Sequence, residues 1–370
     1  MGKVITYNDK DFDDLFYKQK IEFMKSHPLR FLFFEVTLRC NAHCEHCGSS
    51  CGDKLIKDEI TGDEIKGVLA DIAYNSKYDP RNIMLNITGG EPLVRKDLFE
   101  IMEYATKLGF NWGMVTNGML ITEEIIDKMK KSGIYSVSVS IDGLEKTHES
   151  FRRVPGSYKK IIIGIKMMHK KRIPMVQVIT CVNKKNIDEL EDIYKMLLKL
   201  RIQDWRIIEV DPIGRAKDNK DLLLDGPELK RMFNFILEKR SIEDGMNISY
   251  GCGHFLGREY EAMMRDGMYP FFCPAGIATG CVLSNGDIYV CPDVERRPEL
   301  VQGNIRNDSF VDVWENKYEI FRKVDRTSNE KCKNCKDWKL CCGDDFHTWD
   351  FNKNKPNFCI REIWKDDFKD

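Results

Sequence analysis

The residues with the clearest chemical potential are Cys40, Cys44 and Cys47, spaced C-x3-C-x2-C in Cys40-Asn41-Ala42-His43-Cys44-Glu45-His46-Cys47. Three thiolates on one tight loop can hold three irons of a cubane cluster and leave the fourth iron open to a ligand. A four-thiolate cluster, by contrast, only transfers electrons. Cys51 is near enough to be a fourth ligand, but it is followed by Gly52, unlike the ferredoxin run that ends C-x3-C-P. Zinc is the competing occupant of such a loop. A second group of nine cysteines runs from Cys252 to Cys359 and includes Cys332-x2-Cys335-x5-Cys341. Cys181 stands alone within an apolar run and reads as core.

The composition agrees with metal chemistry. Fourteen cysteines in 370 residues exceed what one zinc ribbon uses. The first thirty residues contain no apolar signal segment, and runs such as Phe31–Phe34 and Ile161–Ile163 are too short to span a bilayer. The chain therefore reads as cytoplasmic, where thiols stay reduced and serve as metal ligands or redox groups rather than as bridges. With 58 Lys+Arg against 59 Asp+Glu, broad neutralisation of nucleic-acid phosphates is excluded. At 42% hydrophobic residues, a large core can be buried.

The elements that must position these residues alternate between strand and helix. Strands are expected at Phe31–Thr37, Asn82–Ile87, Trp112–Thr116, Tyr135–Ile141, Met175–Cys181 and Trp205–Val210. Helical periodicity lies at Thr61–Tyr74, with Thr61 as N-cap and Glu64 three residues on, and near 96–109, 121–132, 157–171 and 186–200. Six such units require parallel pairing and right-handed crossovers. They could form a partly closed (β/α)6 barrel or an open doubly wound sheet; in both, ligands gather at the carboxyl ends of the strands. Residues 213–245 are charged, with one helix near 227–240. After about 246 the pattern becomes irregular, with a hairpin turn at Ser284-Asn285-Gly286-Asp287. Such a segment needs metal to hold it.

Several motifs now fall in order at strand ends. Thr88-Gly89-Gly90-Glu91-Pro92 follows the second strand, Thr116-Asn117-Gly118 the third, Ser138-Val139-Ser140-Ile141-Asp142-Gly143 the fourth, and Pro212-Ile213-Gly214-Arg215-Ala216 the sixth. With the C-x3-C-x2-C loop, this resembles the radical SAM superfamily over residues 30–216. The resemblance implies a TIM-like partial barrel with a [4Fe–4S] cluster on Cys40, Cys44 and Cys47. It also implies an S-adenosylmethionine site: Gly89, Gly90 and Glu91 at the amino group, Asn117 beside them, Ser140 and Asp142 towards the ribose, Arg152 near the carboxylate and Gly214 beside the adenine. His46 either packs against adenine or is an exposed loop residue.

Downstream, Cys273, Gly286, Cys291, Cys332, Cys335, Cys341 and Cys359 resemble the SPASM extension, which holds two auxiliary [4Fe–4S] clusters. The resemblance gives one cluster Cys332, Cys335, Cys341 and Cys359. The other takes Cys273, Cys291 and Cys252 as the upstream cysteine. Where a further cysteine belongs, the chain has Asp345. Asp345, Cys281, Cys342 or an open iron are the alternatives there, and zinc is again the competing metal. The implied organisation is an N-terminal extension (1–29), a radical SAM core (30–216), a helical connector (217–245) and a SPASM domain (246–370).

What the resemblance implies functionally is reductive cleavage of S-adenosylmethionine to a 5′-deoxyadenosyl radical, hydrogen abstraction from substrate, and supply of electrons by flavodoxin or ferredoxin. A ribosomally made peptide or a protein side chain is the favoured substrate. Only thirty residues precede the first strand, too few for a winged-helix leader-binding module, so leader recognition is expected from a separate leader-binding protein or from the barrel's surface. The alternative is a tetrapyrrole substrate, since related architectures decarboxylate or oxidise haem precursors. A non-catalytic electron carrier would have no need of the SAM motifs. No membrane or nucleic-acid partner is expected. Glu209, Asp211 and Asp293 are the candidates for acid–base work.

Overall fold

The computed structural model describes residues 10–52, 57–243, 245–251, 253–265, 271–323 and 330–364. Helix α1 (Lys10–Ser26) precedes β1 (Phe31–Glu35). Then come α2 (Gly62–Ala73), β2 (Met84–Thr88), α3 (Leu98–Lys107), β3 (Asn111–Thr116), α4 (Glu123–Lys131) and β4 (Ser136–Ser140). Helices α5 (Glu145–Arg152) and α6 (Ser157–Lys170) lead to β5 (Met175–Val182), α7 (Leu190–Lys199), β6 (Asp204–Glu209), α8 (Gly226–Arg240) and β7 (Asn247–Tyr250).

The order β1-β2-β3-β4-β5-β6-β7 is both the chain order and the spatial order, and every pairing within it is parallel. A doubly wound sheet would reverse direction about its first strand, so this winding is that of a barrel. Alternation along the strands separates two surfaces. Leu32, Phe34, Leu85, Ile87, Trp112, Val137, Val139, Trp205 and Ile207 are fully buried in the core beneath the helices. The intervening residues include Asn86, Ser138, Gln177 and Arg206, a polar set; Ser138 Oγ donates to Gln177 Oε1 at 3.0 Å.

Local signals set the helix starts. Thr61 and Glu64 form the expected capping box on α2, and Asp225 with Glu228 forms another on α8. The expected second strand begins two residues late, because Pro80–Asn82 makes a 3-10 turn capped by Asp79. Helix α5 and strand β7 were outside the sequence expectation: both are short, and α5 (EKTHESFR) is almost wholly polar.

Beyond β7 lie α9 (Gly257–Met264), β8 (Thr279–Val282), β9 (Asp287–Tyr289), β10 (Gly303–Asn304), α10 (Phe310–Asn316), α11 (Glu330–Lys333), α12 (Trp338–Cys341), β11 (Trp349–Asp350), β12 (Lys355–Pro356) and α13 (Ile360–Ile363). Strand β8 pairs in parallel with the free side of β1, and β8, β9 and β10 continue antiparallel, making one ten-stranded sheet. The expected hairpin turn is there, with Gly286 at φ +88. Its Ser284 donates through Oγ (2.6 Å) and N–H (3.1 Å) to the buried carboxylate of Glu35 at the end of β1. Helix α1 packs on α12: the buried Lys20 ammonium donates to the carbonyls of Phe271 (3.3 Å) and Leu340. Among the described residues, no helix is long and apolar enough to cross a membrane.

Candidate active site

The loop after β1 carries Cys40, Cys44 and Cys47, and long-range hydrogen bonds close it. Cys40 N–H donates to Gly52 O at 2.6 Å, and Gly52 N–H to Leu38 O at 3.2 Å. Arg215, after β6, grips the loop from the other side. Its Nε donates to Cys44 O at 2.7 Å, its Nη1 to Cys51 O at 2.8 Å, and its N–H to Cys47 O at 3.0 Å. Gly214, at φ +52, permits this contact, since a Cβ there would stand 2.2 Å from Gly48 O. Burial pushes the Cys40 thiol up to about 11, with Glu91, Cys44 and Cys47 adding to it. Cys47 falls to about 6, because the Cys51 thiol and N–H donate hydrogen bonds to its sulfur. Cys51 is therefore a partner of Cys47, buried beside it.

The glycines after β2 are pressed against the same loop. A Cβ on Gly89 (φ +139) would lie 2.3 Å from Thr37 O, and one on Gly90 would lie 2.2 Å from Arg39 O. Gly90 N–H reaches Thr37 O at 2.8 Å and Glu91 N–H reaches Arg39 O at 2.9 Å. Glu91 is fully buried, and burial raises its pKa. Its carboxylate accepts from Thr116 Oγ1 (2.8 Å), Asn117 N–H (2.8 Å) and Leu93 N–H (3.1 Å). Asn117 in turn donates through Nδ2 to Asn41 Oδ1 at 2.7 Å and stands 3.9 Å from Cys40 Sγ. The segments after β1, β2 and β3 are thus tied through one residue: the Glu91 N–H holds Arg39 O and its carboxylate holds Thr116 and Asn117.

Asp142, after β4, is likewise fully buried. Its Oδ2 accepts from Arg152 Nε (2.7 Å) and Nη2 (2.6 Å), and its Oδ1 accepts from Cys181 N–H (2.9 Å). Burial opposes its ionisation, yet the Arg152 charge holds it below the usual carboxylate range. Both oxygens are engaged within the protein. Arg152 Nη1 stands 3.8 Å from Cys44 Sγ, so the pair borders the cysteine loop. Ser140 closes β4 opposite Ile179 of β5. Two expectations change here. His46 is not a solvent-exposed loop residue; it stacks on Phe151 with centroids 4.3 Å apart and planes at 5°. Cys181 is not plain core: it is half-buried, within 4.8 Å of ligand atoms of His46 and Asp142.

Further round the barrel, Glu209 and Asp211 meet residues from the C-terminal region. His254 Nε2 lies 3.5 Å from both carboxylates, and its Nδ1 faces Asp344 (3.3 Å) and Asp345. Burial alone would lower the His254 pKa, but Asp345 and Asp344 raise it well above the ordinary value. Burial raises Glu209, which also accepts from Tyr250 Oη. Asp293 is exposed, beside Cys291 and His347. A cleft of about 260 Å³ runs between Gly48–Ser50, the turn of Ile213, Gly214 and Lys217, and residues 292–296. It connects the cysteine loop with the segment after Cys291.

Cys332, Cys335, Cys341 and Cys359 line a single cavity, together with Phe255 and Trp338. Four thiols on one cavity suit a cubane cluster. Cys273 and Cys291 are both buried, and Cys291 Sγ lies 3.8 Å from His347 Nε2. Cys252 lies outside the described residues. Spacing gave no signal for Tyr250, His254 or His347, and Arg215 stood in the turn motif after the sixth strand without a role of its own, since each acts across more than one element.

The sequence profile of the radical SAM superfamily matches residues 34–197, and that of the SPASM iron–sulfur cluster-binding domain matches residues 273–336. An AdoMet-dependent heme synthase from Methanosarcina barkeri is 30% identical over 336 residues, covering 85% of this chain and 90% of that protein. The chain belongs to the radical SAM superfamily. This radical SAM protein is also 30% identical over 326 residues to the AdoMet-dependent heme synthase of Nitratidesulfovibrio vulgaris, at 85% and 86% coverage. The mycofactocin maturase MftC of Mycolicibacterium smegmatis is 26% identical over 317 residues, at 84% and 76% coverage. In fold, the radical SAM chain matches Streptococcus suis SuiB bound to S-adenosylmethionine with TM-score 0.68 at 19% identity, covering 91% of this chain and 79% of that one. It matches anSMEcpe with bound AdoMet with TM-score 0.70 at 20% identity, covering 91% and 95%. The fold is therefore a partial barrel followed by a SPASM region.

Proposed function

We propose that this radical SAM/SPASM enzyme modifies a carboxylate-bearing tetrapyrrole of the haem-precursor class. The observation that carries this reading is the 30% identity to AdoMet-dependent heme synthases across 85% of the chain. It favours the tetrapyrrole alternative over the peptide substrate first expected. The mycofactocin maturase MftC and a PqqA peptide cyclase match at 26% and 25% identity.

The donors present fit the implied cofactors: three thiols on one loop, and four lining one cavity. The chemistry supplied when such a cluster is bound to Cys40, Cys44 and Cys47 is one-electron cleavage of S-adenosylmethionine, whose 5′-deoxyadenosyl radical takes a hydrogen atom from substrate. Within the protein, Gly89 and Gly90 bring backbone to the edge of the cysteine loop, where we place the methionine amino group. Glu91 holds Asn117 at that edge rather than contacting ligand itself. Asp142 fixes the Arg152 guanidinium, which we assign to the methionine carboxylate. Ser140 is left for the ribose, and Gly214 for the adenine. Cys332, Cys335, Cys341 and Cys359 would hold one auxiliary cluster, and Cys273, Cys291 and Cys252 would be the thiols for another; the chemistry such clusters would supply is acceptance of an electron. A flavodoxin or ferredoxin supplies the reducing electron.

The test is anaerobic incubation of the reconstituted enzyme with an iron-bound or metal-free coproporphyrin. Expected results are a Soret band shift on binding and, with S-adenosylmethionine and dithionite, 5′-deoxyadenosine release matched by loss of carbon dioxide from the tetrapyrrole. Release that is unchanged by any tetrapyrrole but stimulated by a peptide would reverse the substrate assignment.

A further inference from the structure

We propose that Lys20, on the N-terminal helix α1, sets the reduction potential of the auxiliary iron–sulfur cluster placed above on Cys332, Cys335, Cys341 and Cys359. The inference rests on that cluster reading, whose support in the fold is that the four thiols line one cavity.

Helix α1 turns Asp13, Phe16, Lys20 and Met24 inward, at the spacing of one helical face. A lysine on such a face is exceptional, because burying an ammonium is costly, yet Lys20 is only 4% exposed. Its acceptors include the carbonyl oxygens of Leu340 and, at 3.3 Å, Phe271, and Cys342 Sγ stands 4.0 Å away. The rings of Phe16 and Phe272 flank it, with centroids 5.9 and 5.3 Å from Nζ. Leu340 and Cys342 are the two chain neighbours of Cys341, so helix α1 delivers a positive charge to the backbone beside one of the four thiols.

A cluster that accepts one electron gains one negative charge, with no bond or proton moved. A buried cation nearby favours that reduced state, and burial limits screening by salt. Other charges at the cavity work differently. Arg361 and Arg258 hold Asp337 at 2.8 and 2.7 Å, and Arg258 also holds Asp13 at 2.9 Å, so two arginines are matched by two aspartates. Burial and then Asp344 push the Cys341 thiol up, and Lys20 acts in the opposite sense.

The experiment uses the full chain carrying Cys40→Ala, Cys44→Ala and Cys47→Ala, reconstituted anaerobically and titrated with dithionite under EPR detection. The signal lost in Cys335→Ala identifies the cavity cluster. Lys20→Met and Lys20→Gln should keep the iron and lower the midpoint of that signal. At a fixed potential the reduced-to-oxidised ratio should fall about tenfold, equivalent to about 60 mV for one electron. Lys20→Arg, which keeps the charge, should stay close to the unsubstituted midpoint. An unchanged midpoint in Lys20→Met and Lys20→Gln, or an equal fall in Lys20→Arg, would overturn the assignment alone. Loss of the cavity iron in the neutral variants would show a structural hold instead and overturn it too. Iron near zero or replaced by zinc before Lys20 is changed, or no signal that depends on Cys335, would overturn the cluster reading and the assignment with it.

Discussion

Arg215 Nε donates to the carbonyl oxygen of Cys44 at 2.7 Å, joining two residues 171 positions apart. Its Nη1 holds Cys51 O as well, so one planar guanidinium pins the cysteine loop at two points, its middle and its exit. Charge-assisted hydrogen bonds of this kind contribute about 1.5–3 kcal/mol each. Arg215→Lys, with a single point charge, cannot span both carbonyls. Reconstituted Arg215→Lys and Arg215→Ala proteins should lose about four irons per chain relative to wild type, the content of one cubane. Unchanged iron, with an unchanged rate of S-adenosylmethionine cleavage, would show that the loop holds itself.

The two sets of cysteines should separate by assay. Cys40→Ala, Cys44→Ala or Cys47→Ala is expected to abolish 5′-deoxyadenosine release. Cys335→Ala and Cys359→Ala, which alter the distant cavity, should retain some release uncoupled from product. Equal loss from both sets would contradict this division of labour.

Gly89→Ala and Gly90→Ala should each destabilise by more than about 2 kcal/mol, because a Cβ would overlap a backbone carbonyl that cannot move alone. Gly67→Ala is the control. Gly67 is in α2, and a methyl group there would meet no other atom within 4 Å, so alanine should stabilise by about 0.5–1 kcal/mol. Urea unfolding of the three variants decides the matter; comparable midpoints would remove the steric argument.

His148 is fully buried and its Nδ1 accepts the N–H of Asp142 at 3.1 Å. Burial is the main cause that lowers its pKa from 6.5 to about 4. Because the folded value is depressed, the stability it confers is complete above about pH 6.5 and is lost as pH falls towards 4. The loss from this residue should be about 3 kcal/mol at most. Unfolding measured at pH 7.5, 6 and 5 should show His148→Gln with a shallower decline than wild type; parallel declines would assign the acid sensitivity elsewhere.

Much of this protein was already determined by its sequence. Cysteine spacing marks the candidate ligand sets, and the two-residue and 3.6-residue periods place six strands and most helices to within a few residues, because both signals are local. The capping box of Thr61 and Glu64 is equally local. What the tertiary structure decided depends on contacts between distant residues, which leave no periodic trace. The chain order of strands became a spatial order only through sheet pairing, which excluded the doubly wound alternative. Asp142 and Glu91 read as ligand contacts, yet buried carboxylates must be satisfied, and Arg152, Thr116 and Asn117 are the donors within reach. Cys291 and His347 lie 56 positions apart in the chain, yet Sγ and Nε2 stand 3.8 Å apart in the fold.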